Sequence, residues 1–396
     1  MKYKYKSLRG ENIPPRHLGI FRKNISLFEG VALIVSGTIG AGVLGLPFVI
    51  AKVGVLLGTI YIVAIGVLMM GLNLLLGKVA TVTKKEMQLV GLAQKYLGNT
   101  GKWFMTLLVY LMLWGVLTVY IIGEGEVLSA LFGGSELFWS IIFFAFATIL
   151  IYIGMRTIKV VELFLSLGVL GVVLILVLSS AYHIQPMNLV EVNFLNLLLP
   201  YGILLFAFHG TTSVPEAYSI LINKEKTFKR AIIIAGVISI VVYALFAAVI
   251  VGVTGAETSE IATIALGEKL GIKIFLLGNL FAVLAMGTSC LMAGLALRDS
   301  MKWDFNLSRG VSTLLVSGIP FLIFIFGIRG FIEAIDIVGG VFMSVEMLLI
   351  LLIYWKAKQQ GDLKVGKYKL HHTTLLLILL LLALTFGAVY SVVKLF

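Results

Sequence analysis

An all-α, polytopic membrane protein of eleven spans is predicted by three observations. Of 396 residues, 60% are hydrophobic and only 13% charged, against an apolar share of roughly 45–50% in soluble domains. Single apolar runs exceed the roughly 18 residues that mark a membrane-spanning helix. Such runs recur along the whole chain, each bounded by charges or turn residues. A soluble globule is excluded, and so is a disordered chain, because 25 Phe and 14 Tyr are too much apolar surface to leave solvated. The single cysteine, Cys290, allows no internal disulfide.

The spans follow in order. Span 1 (26–50) opens after Arg22 and Lys23 and closes before Lys52; span 2 (53–79) runs from there to a polar loop. Span 3 (103–131) begins after Lys102 and stops at Gly133 and Gly134, and span 4 (137–155) continues to Arg156. Span 5 (158–181), span 6 (196–222) and span 7 (231–254) come next, the last two separated by Lys224, Lys226, Lys229 and Arg230. Span 8 (272–297) ends at Arg298, span 9 (310–327) lies between Arg309 and Arg329, span 10 (330–355) ends at Lys356, and span 11 (373–396) follows His371 and His372. The loop TVTKKEMQLVGLAQKYLGNTGK, 81–102, has helical amphipathicity, which predicts a short helix on the membrane surface.

The N-terminal arm, residues 1–25, is basic and has no apolar core before Ser26, so it does not read as a cleaved signal peptide. Basic residues resist translocation. With the N-terminus cytoplasmic, all of the 31 Lys and Arg residues except Lys52, Lys269, Lys273, Arg329 and Lys394 fall inside. The expected topology in the cell membrane is therefore N-terminus in, C-terminus out. The net charge of +12 is spread over short cytoplasmic segments without interleaved aromatic readers, which argues for anionic lipid headgroups as partners and against nucleic acid.

Two spans are interrupted in matching places. Span 1 reads SGTIGAGVLGLPF over 36–48, with Gly37, Gly40, Gly42 and Gly45 at mid-membrane depth and Pro47 closing the run. The purely structural reading is close helix packing, which Gly37 and Gly45 suit. Span 6 reads LLFAFHGTTSVPEAYSIL, where His209, Gly210, Thr211, Thr212, Ser213 and Pro215 interrupt a second helix. So many polar and helix-breaking residues are tolerated where backbone lines an enclosed cavity. The first five spans (26–181) and the next five (196–355) each open with an interrupted helix, and an odd number inverts the second set. Paired breaks of this kind place a binding site at the midplane in the inverted-repeat plan of secondary transporters. Amides around Gly40, Ala41 and Gly42 would suit a carboxylate at a helix N-terminus. Carbonyls at Ser36, Gly37, Phe206, Ala207 and Phe208 would suit an ammonium group, and together they match an α-amino acid zwitterion.

GTIGAGVLGLP in span 1, FAFHG followed by VPEAY in span 6, and GTSCLMAGLALRD in span 8 resemble the amino acid/auxin permease family. Within it the likeness is to the aromatic and hydroxy amino acid permeases and the sodium-coupled neutral amino acid transporters of the APC superfamily, over about residues 26–355. The resemblance implies a LeuT-type 5+5 inverted repeat with discontinuous helices 1 and 6, an additional helix 11 (373–396), and amino acid transport by alternating access. It implies a substrate site of Gly37, Thr38, Gly40, Ala41 and Gly42 with Phe206, Ala207, Phe208, His209 and Gly210. In this sequence Pro215 follows the His209-Gly210 pair later than is usual, and Arg298-Asp299 replaces the usual aromatic-aspartate pair.

The resemblance also implies a Na+ site from Thr288, Ser289 and the carbonyls of Gly37 and Gly40, with oxygen ligands suited to a hard cation. The competing reading is that such hydroxyls bond a carbonyl one turn back. H+ is the other coupling ion, and no further cofactor is implied. Ionisable groups within spans are functional candidates: His209 as a ligand contact or gate, Glu216 as a proton-linked group or a cap of the inner half-helix, and Glu346, which needs a partner or a proton. Glu124 and Glu126 in span 3 are expected to be solvated or structurally bonded, and Glu29 and Glu162 to be interfacial. Phe206, Phe208, Tyr110, Trp114 and Thr118 are candidates for side-chain selectivity, with bundle packing as the alternative; neutral or aromatic substrates are favoured. Replacing Gly42 by Val is expected to abolish substrate binding in a folded protein. An enzyme is disfavoured because the five histidines form no HExxH motif and no GxSxG occurs. The alternative from another class is an amino acid sensor of the same fold without net transport. Nothing in the sequence sets an oligomeric state.

Overall fold

A computed structural model describes residues 21–83, 87–154, 158–221, 224–364 and 368–394; residues 1–20 of the expected N-terminal arm lie outside them. Helix α1 (Phe21–Thr38) is followed by α2 (Gly42–Val53), α3 (Val55–Val82), α4 (Leu89–Phe132), α5 (Glu136–Ile153) and α6 (Ile158–Ser180). After the short α7 (Met187–Val190) come α8 (Pro200–Ala207), α9 (Ser213–Ile220), α10 (Glu225–Thr254), α11 (Ala262–Leu270) and α12 (Ile272–Phe305). The chain ends with α13 (Arg309–Phe326), α14 (Phe331–Ile337), α15 (Ser344–Gln359) and α16 (Thr373–Val393), a π-helical segment, Val338–Met343, joining α14 to α15.

Among the described residues, eight helices are long and apolar enough to cross a membrane, nine when α1 and α2, bent by 59° at their break, are taken as one span. The remaining two of the eleven expected spans are α6, whose fully described apolar part runs over Leu170–His183, and span 6, which is divided into two eight-residue helices. Two details depart from expectation. Pro47 does not close span 1, because α2 continues through it to Val53. The surface helix is continuous with α4 and separated from its membrane part only at Gly98, where φ is 73°, a conformation that glycine adopts without a Cβ clash.

The broken helices cross at the centre of the bundle. The first half, α1, packs on α9, α10 and α6, while the second half, α2, packs on α8, α10 and α3. Helices α5 and α16 stand at the periphery. On α16, Leu375, Leu379, Leu382, Phe386 and Val393 are exposed at helical spacing, an apolar stripe suited to lipid. Their opposite faces bury Ser140, Phe143 and Ala147 on α5 and Leu380, Leu384 and Gly387 on α16.

Candidate functional site

The break in span 1 begins where Ser36 and Thr38 turn their hydroxyls back onto the carbonyls of Leu33 (3.0 Å) and Ile34 (2.7 Å), contacts that compete with the helical ladder. Ile39 still donates to Val35, and regular bonding resumes with Val43 to Gly40 and Leu44 to Ala41. Among the described residues, the amides of Gly40, Ala41 and Gly42 therefore meet no backbone acceptor. They are the unpaired donors of a helix N-terminus. A Cβ built on Gly40 would meet nothing within 4 Å, so this residue looks onto open space.

In span 6, Phe208 donates to Leu204 and His209 to Phe206, and Ser213 starts the second half by bonding Gly210. Side chains hold the gap. His209 Nε2 lies 2.6 Å from Glu346 Oε2, and the Thr211 hydroxyl donates to Glu346 Oε1 at 3.0 Å and sits 3.1 Å from the His209 nitrogen. The Glu346 side chain is fully buried in the first turn of α15, directly after the π-helical segment; such segments recur at functional sites. Glu346 thus has the partner that its mid-membrane position requires. Glu216 lies in the first turn of α9, where a carboxylate complements the helix dipole.

The two breaks are in direct contact. A side chain at Gly37 would strike the Ser213 hydroxyl and one at Gly210 would strike that of Thr38, while a Cβ on Gly42 would come within 2.6 Å of Ala207 Cα. Gly45 is likewise filled against Ile332, Ile335 and Phe331, so close packing accounts for Gly37 and Gly45 even though the helix does break. Gly42→Val is accordingly no clean probe of binding, because its first atom meets backbone. Tyr243 of α10 bridges both breaks: its hydroxyl is 2.8 Å from the Thr38 carbonyl and 2.7 Å from that of Ala207. A phenol has one proton for these two acceptors. Of the expected free carbonyls, Ala207 is engaged by Tyr243 and Phe206 by its own backbone.

Phe208 packs edge-on against Tyr243 at 4.9 Å, and Phe206 lies against Gly339 of the π-helical segment. Tyr110 bonds Ser300 of α12 at 2.7 Å, a contact between helices, and Thr118 donates to the Trp114 carbonyl one turn back in α4 at 2.9 Å. The Thr288 hydroxyl donates to the Leu284 carbonyl at 2.7 Å. Helix α12 packs chiefly on α4, α11, α6 and α13, so α6 is the neighbour that it shares with α1.

Sequence reasoning gave Tyr243 no role, since one aromatic in an apolar run carries no local signal. It gave Thr211 no partner, because the pairing with Glu346 spans 135 residues. Glu124 overturns its expected setting: it is fully buried, and among the described residues neither carboxyl oxygen has a hydrogen-bond partner.

Comparison with known proteins places this arrangement. The tyrosine-specific transport system 1 of Haemophilus influenzae is 29% identical over 363 residues, 83% of this chain and 88% of that protein. The glutamine transporter 2 of Aliivibrio fischeri is 26% identical over 296 residues, 70% and 76% of the two chains. The crystal structure of MhsT in complex with L-phenylalanine superposes with a TM-score of 0.68 at 15% identity, covering 93% of this chain and 98% of that one, which establishes the LeuT-type fold. The model of the tryptophan/tyrosine permease family matches residues 23–391. The chain therefore belongs to the tryptophan/tyrosine permease family.

Proposed function

We propose that this protein is a secondary transporter that moves a neutral or aromatic α-amino acid across the cell membrane by alternating access, driven by Na+ or H+. The observation that carries this reading is the cluster of unpaired amides at Gly40, Ala41 and Gly42 beside open space, held against the broken backbone of span 6. Amides at a helix N-terminus suit the carboxylate of the substrate. The carbonyls of Gly37 and Phe208 remain for its ammonium group, and the names of the relatives favour tyrosine, tryptophan, phenylalanine and glutamine as first candidates. Two packed half-helix pairs supply a small number of contacts that can be exchanged between outward- and inward-facing arrangements.

For Na+, Thr288 and Ser289 with the carbonyls of Gly37 and Gly40 form the proposed oxygen set. The Thr288 proton is already given to Leu284, so its oxygen lone pairs point to an acceptor role, as a cation requires. For H+, the His209, Thr211 and Glu346 cluster is a buried titratable group that touches the break itself, and Glu216 is a second candidate.

The test is uptake of labelled tyrosine, tryptophan, phenylalanine and glutamine into proteoliposomes under an imposed Na+ gradient or ΔpH. Gradient-driven accumulation of at least one is expected. Saturable binding with no accumulation under either gradient overturns the transporter reading in favour of the sensor.

A further inference from the structure

Glu124 lies in α4, eight residues before the end of that helix at Phe132, or about 12 Å below its outer end at 1.5 Å per residue. Its carboxyl group points at α12, where Oε1 is 3.1 Å from the position a Cβ would take on Gly287. A side chain there would require the carboxyl group to give by a few tenths of an ångström. The Phe143 ring of α5 closes the other side of the same position, and the thiol of Cys290, one turn further along α12, is its titratable neighbour. Both carboxyl oxygens are buried and, among the described residues, neither has a hydrogen-bond partner.

Several charged groups on the surrounding elements are committed elsewhere. Glu346 of α15 is paired with His209, and Asp336 of α14 with Lys394 at 2.6 Å. Arg298 of α12 is held by Asp299 and by the Ile151 carbonyl at the other end of α5. Arg309 of α13 contacts the Ile153 carbonyl. Glu126, two residues further along α4, accepts from the Phe331 amide and has Glu260 and Glu136 as acidic neighbours. Glu260 in turn accepts from the Ile332 amide at 3.0 Å. This acidic group at the outer end of α14 is separate from Glu124 but lies next to it along α4.

An ionised carboxylate without a donor or counter-ion is strongly disfavoured in such surroundings, whereas the neutral acid is tolerated. A bare alkali ion would need several oxygen ligands, and the neighbouring phenyl ring and thiol supply none. We propose that Glu124 is the site that carries the coupling proton: it is occupied as the neutral acid in this conformation, is loaded from the outer acidic group of Glu126, Glu136 and Glu260, and releases its proton when α4 and α12 part and water reaches it. This inference rests on the transporter reading. It gives the gradient a handle on the contact between α4 and α12, because the two helices close tightly at Gly287 only when the charge is absent.

The experiment compares wild type with Glu124→Gln in proteoliposomes, using labelled tyrosine, under ΔpH and in equilibrium exchange with no gradient. The amide mimics the neutral acid, so ΔpH-driven accumulation is expected to fall to the level reached without a gradient, while exchange persists and loses its dependence on pH. Glu124→Gln accumulating tyrosine under ΔpH as wild type does overturns the proposal, and so does a wild type driven by Na+ with no response to ΔpH. A wild type that neither exchanges nor accumulates any tested amino acid instead sinks the transporter reading, and the two failures are thereby distinct. If the variant does not fold, infrared difference spectroscopy on the wild type decides. The carbonyl stretch of a protonated carboxylic acid should vanish on shifting the protein from its closed to its open conformation with substrate, and an unchanged band refutes the assignment.

Discussion

The two interrupted helices solve the same problem with opposite means. In span 1 the break is bare: glycines at 37, 42 and 45 bring backbone close to its neighbours, Gly40 faces open space, and among the described residues the amides of Gly40 to Gly42 meet no backbone acceptor. In span 6 the break is furnished: His209 and Thr211 are tied to Glu346, and the Ala207 carbonyl to Tyr243. The difference assigns the halves of the site different duties. An unpaired main chain is what a small ligand can satisfy, whereas a gap stitched by side chains is a fixed wall that also links the site to α15 and α10. Buried polar groups are costly when unmet, so span 1 retains its cost for the ligand to relieve, whereas side chains relieve part of that of span 6.

The contrast is broken most severely at Glu346. Removing one member of a buried, hydrogen-bonded charged cluster costs about 3–5 kcal/mol when the other is left without a partner. Glu346→Ala should lower the thermal unfolding temperature in detergent strongly. His209→Ala should cost less when made on top of it than when made alone, the sign of direct coupling in a double-mutant cycle. Unchanged stability in Glu346→Ala would mean that span 6 is no more anchored than span 1.

Next in size is Gly42→Val. Its first added atom would approach Ala207 Cα at 2.6 Å, and backbone cannot turn aside as a flexible side chain can. Overpacking of this kind costs about 1–3 kcal/mol, and here it pushes the two breaks apart, so loss of stability and of uptake should appear together. The neighbouring Gly40→Ala sharpens the comparison because its Cβ meets nothing within 4 Å. Stability should change by no more than about 1 kcal/mol, while substrate affinity falls roughly tenfold, about 1.4 kcal/mol, read as a rise in the half-saturation concentration. If Gly40→Ala transports with unaltered affinity, the ligand is not held at the bare break.

How much of this was legible in the sequence follows the same division. The bare break is local: GTIGAGVLGLP announces itself because glycine density in an apolar run has few other causes, and the unpaired amides fall on the residues that the spacing singled out. The furnished break is not local. Its polar residues were visible as a cluster, but their partner Glu346 stands 137 residues from His209, and Tyr243 looks like any aromatic in an apolar helix. The setting of Glu124 was misjudged for the same reason. Its place along α4 suggested a solvated rim, but whether α12 covers that face depends on Gly287, a residue more than 160 positions away in the chain. Hydropathy reports depth and length, not azimuth, and the azimuth decides which buried carboxyl group meets a donor.

A contact remote from both breaks supplies the smallest effect and the control. The Asp362 carboxylate accepts from Lys95 at 3.2 Å and from the Tyr96 hydroxyl at 3.0 Å, joining the short helix before Gly98 to the loop after α15. The Lys95 hydrogen bond, followed by that from Tyr96, holds the Asp362 carboxyl below the ordinary carboxylate range. With the folded-state value depressed, the stabilisation is present above the unfolded value of about 3.9 and is lost as pH falls through the folded-state value. Both partners of the ion pair are about one-third exposed, so solvent screening limits the contribution to about 0.5 kcal/mol. Asp362→Asn should therefore flatten only the acid end of a stability profile and leave uptake, its half-saturation and its response to ΔpH as in wild type. A marked change in transport would show that this contact senses the state of the breaks, and the division of labour between spans 1 and 6 would then have to include a third, remote member.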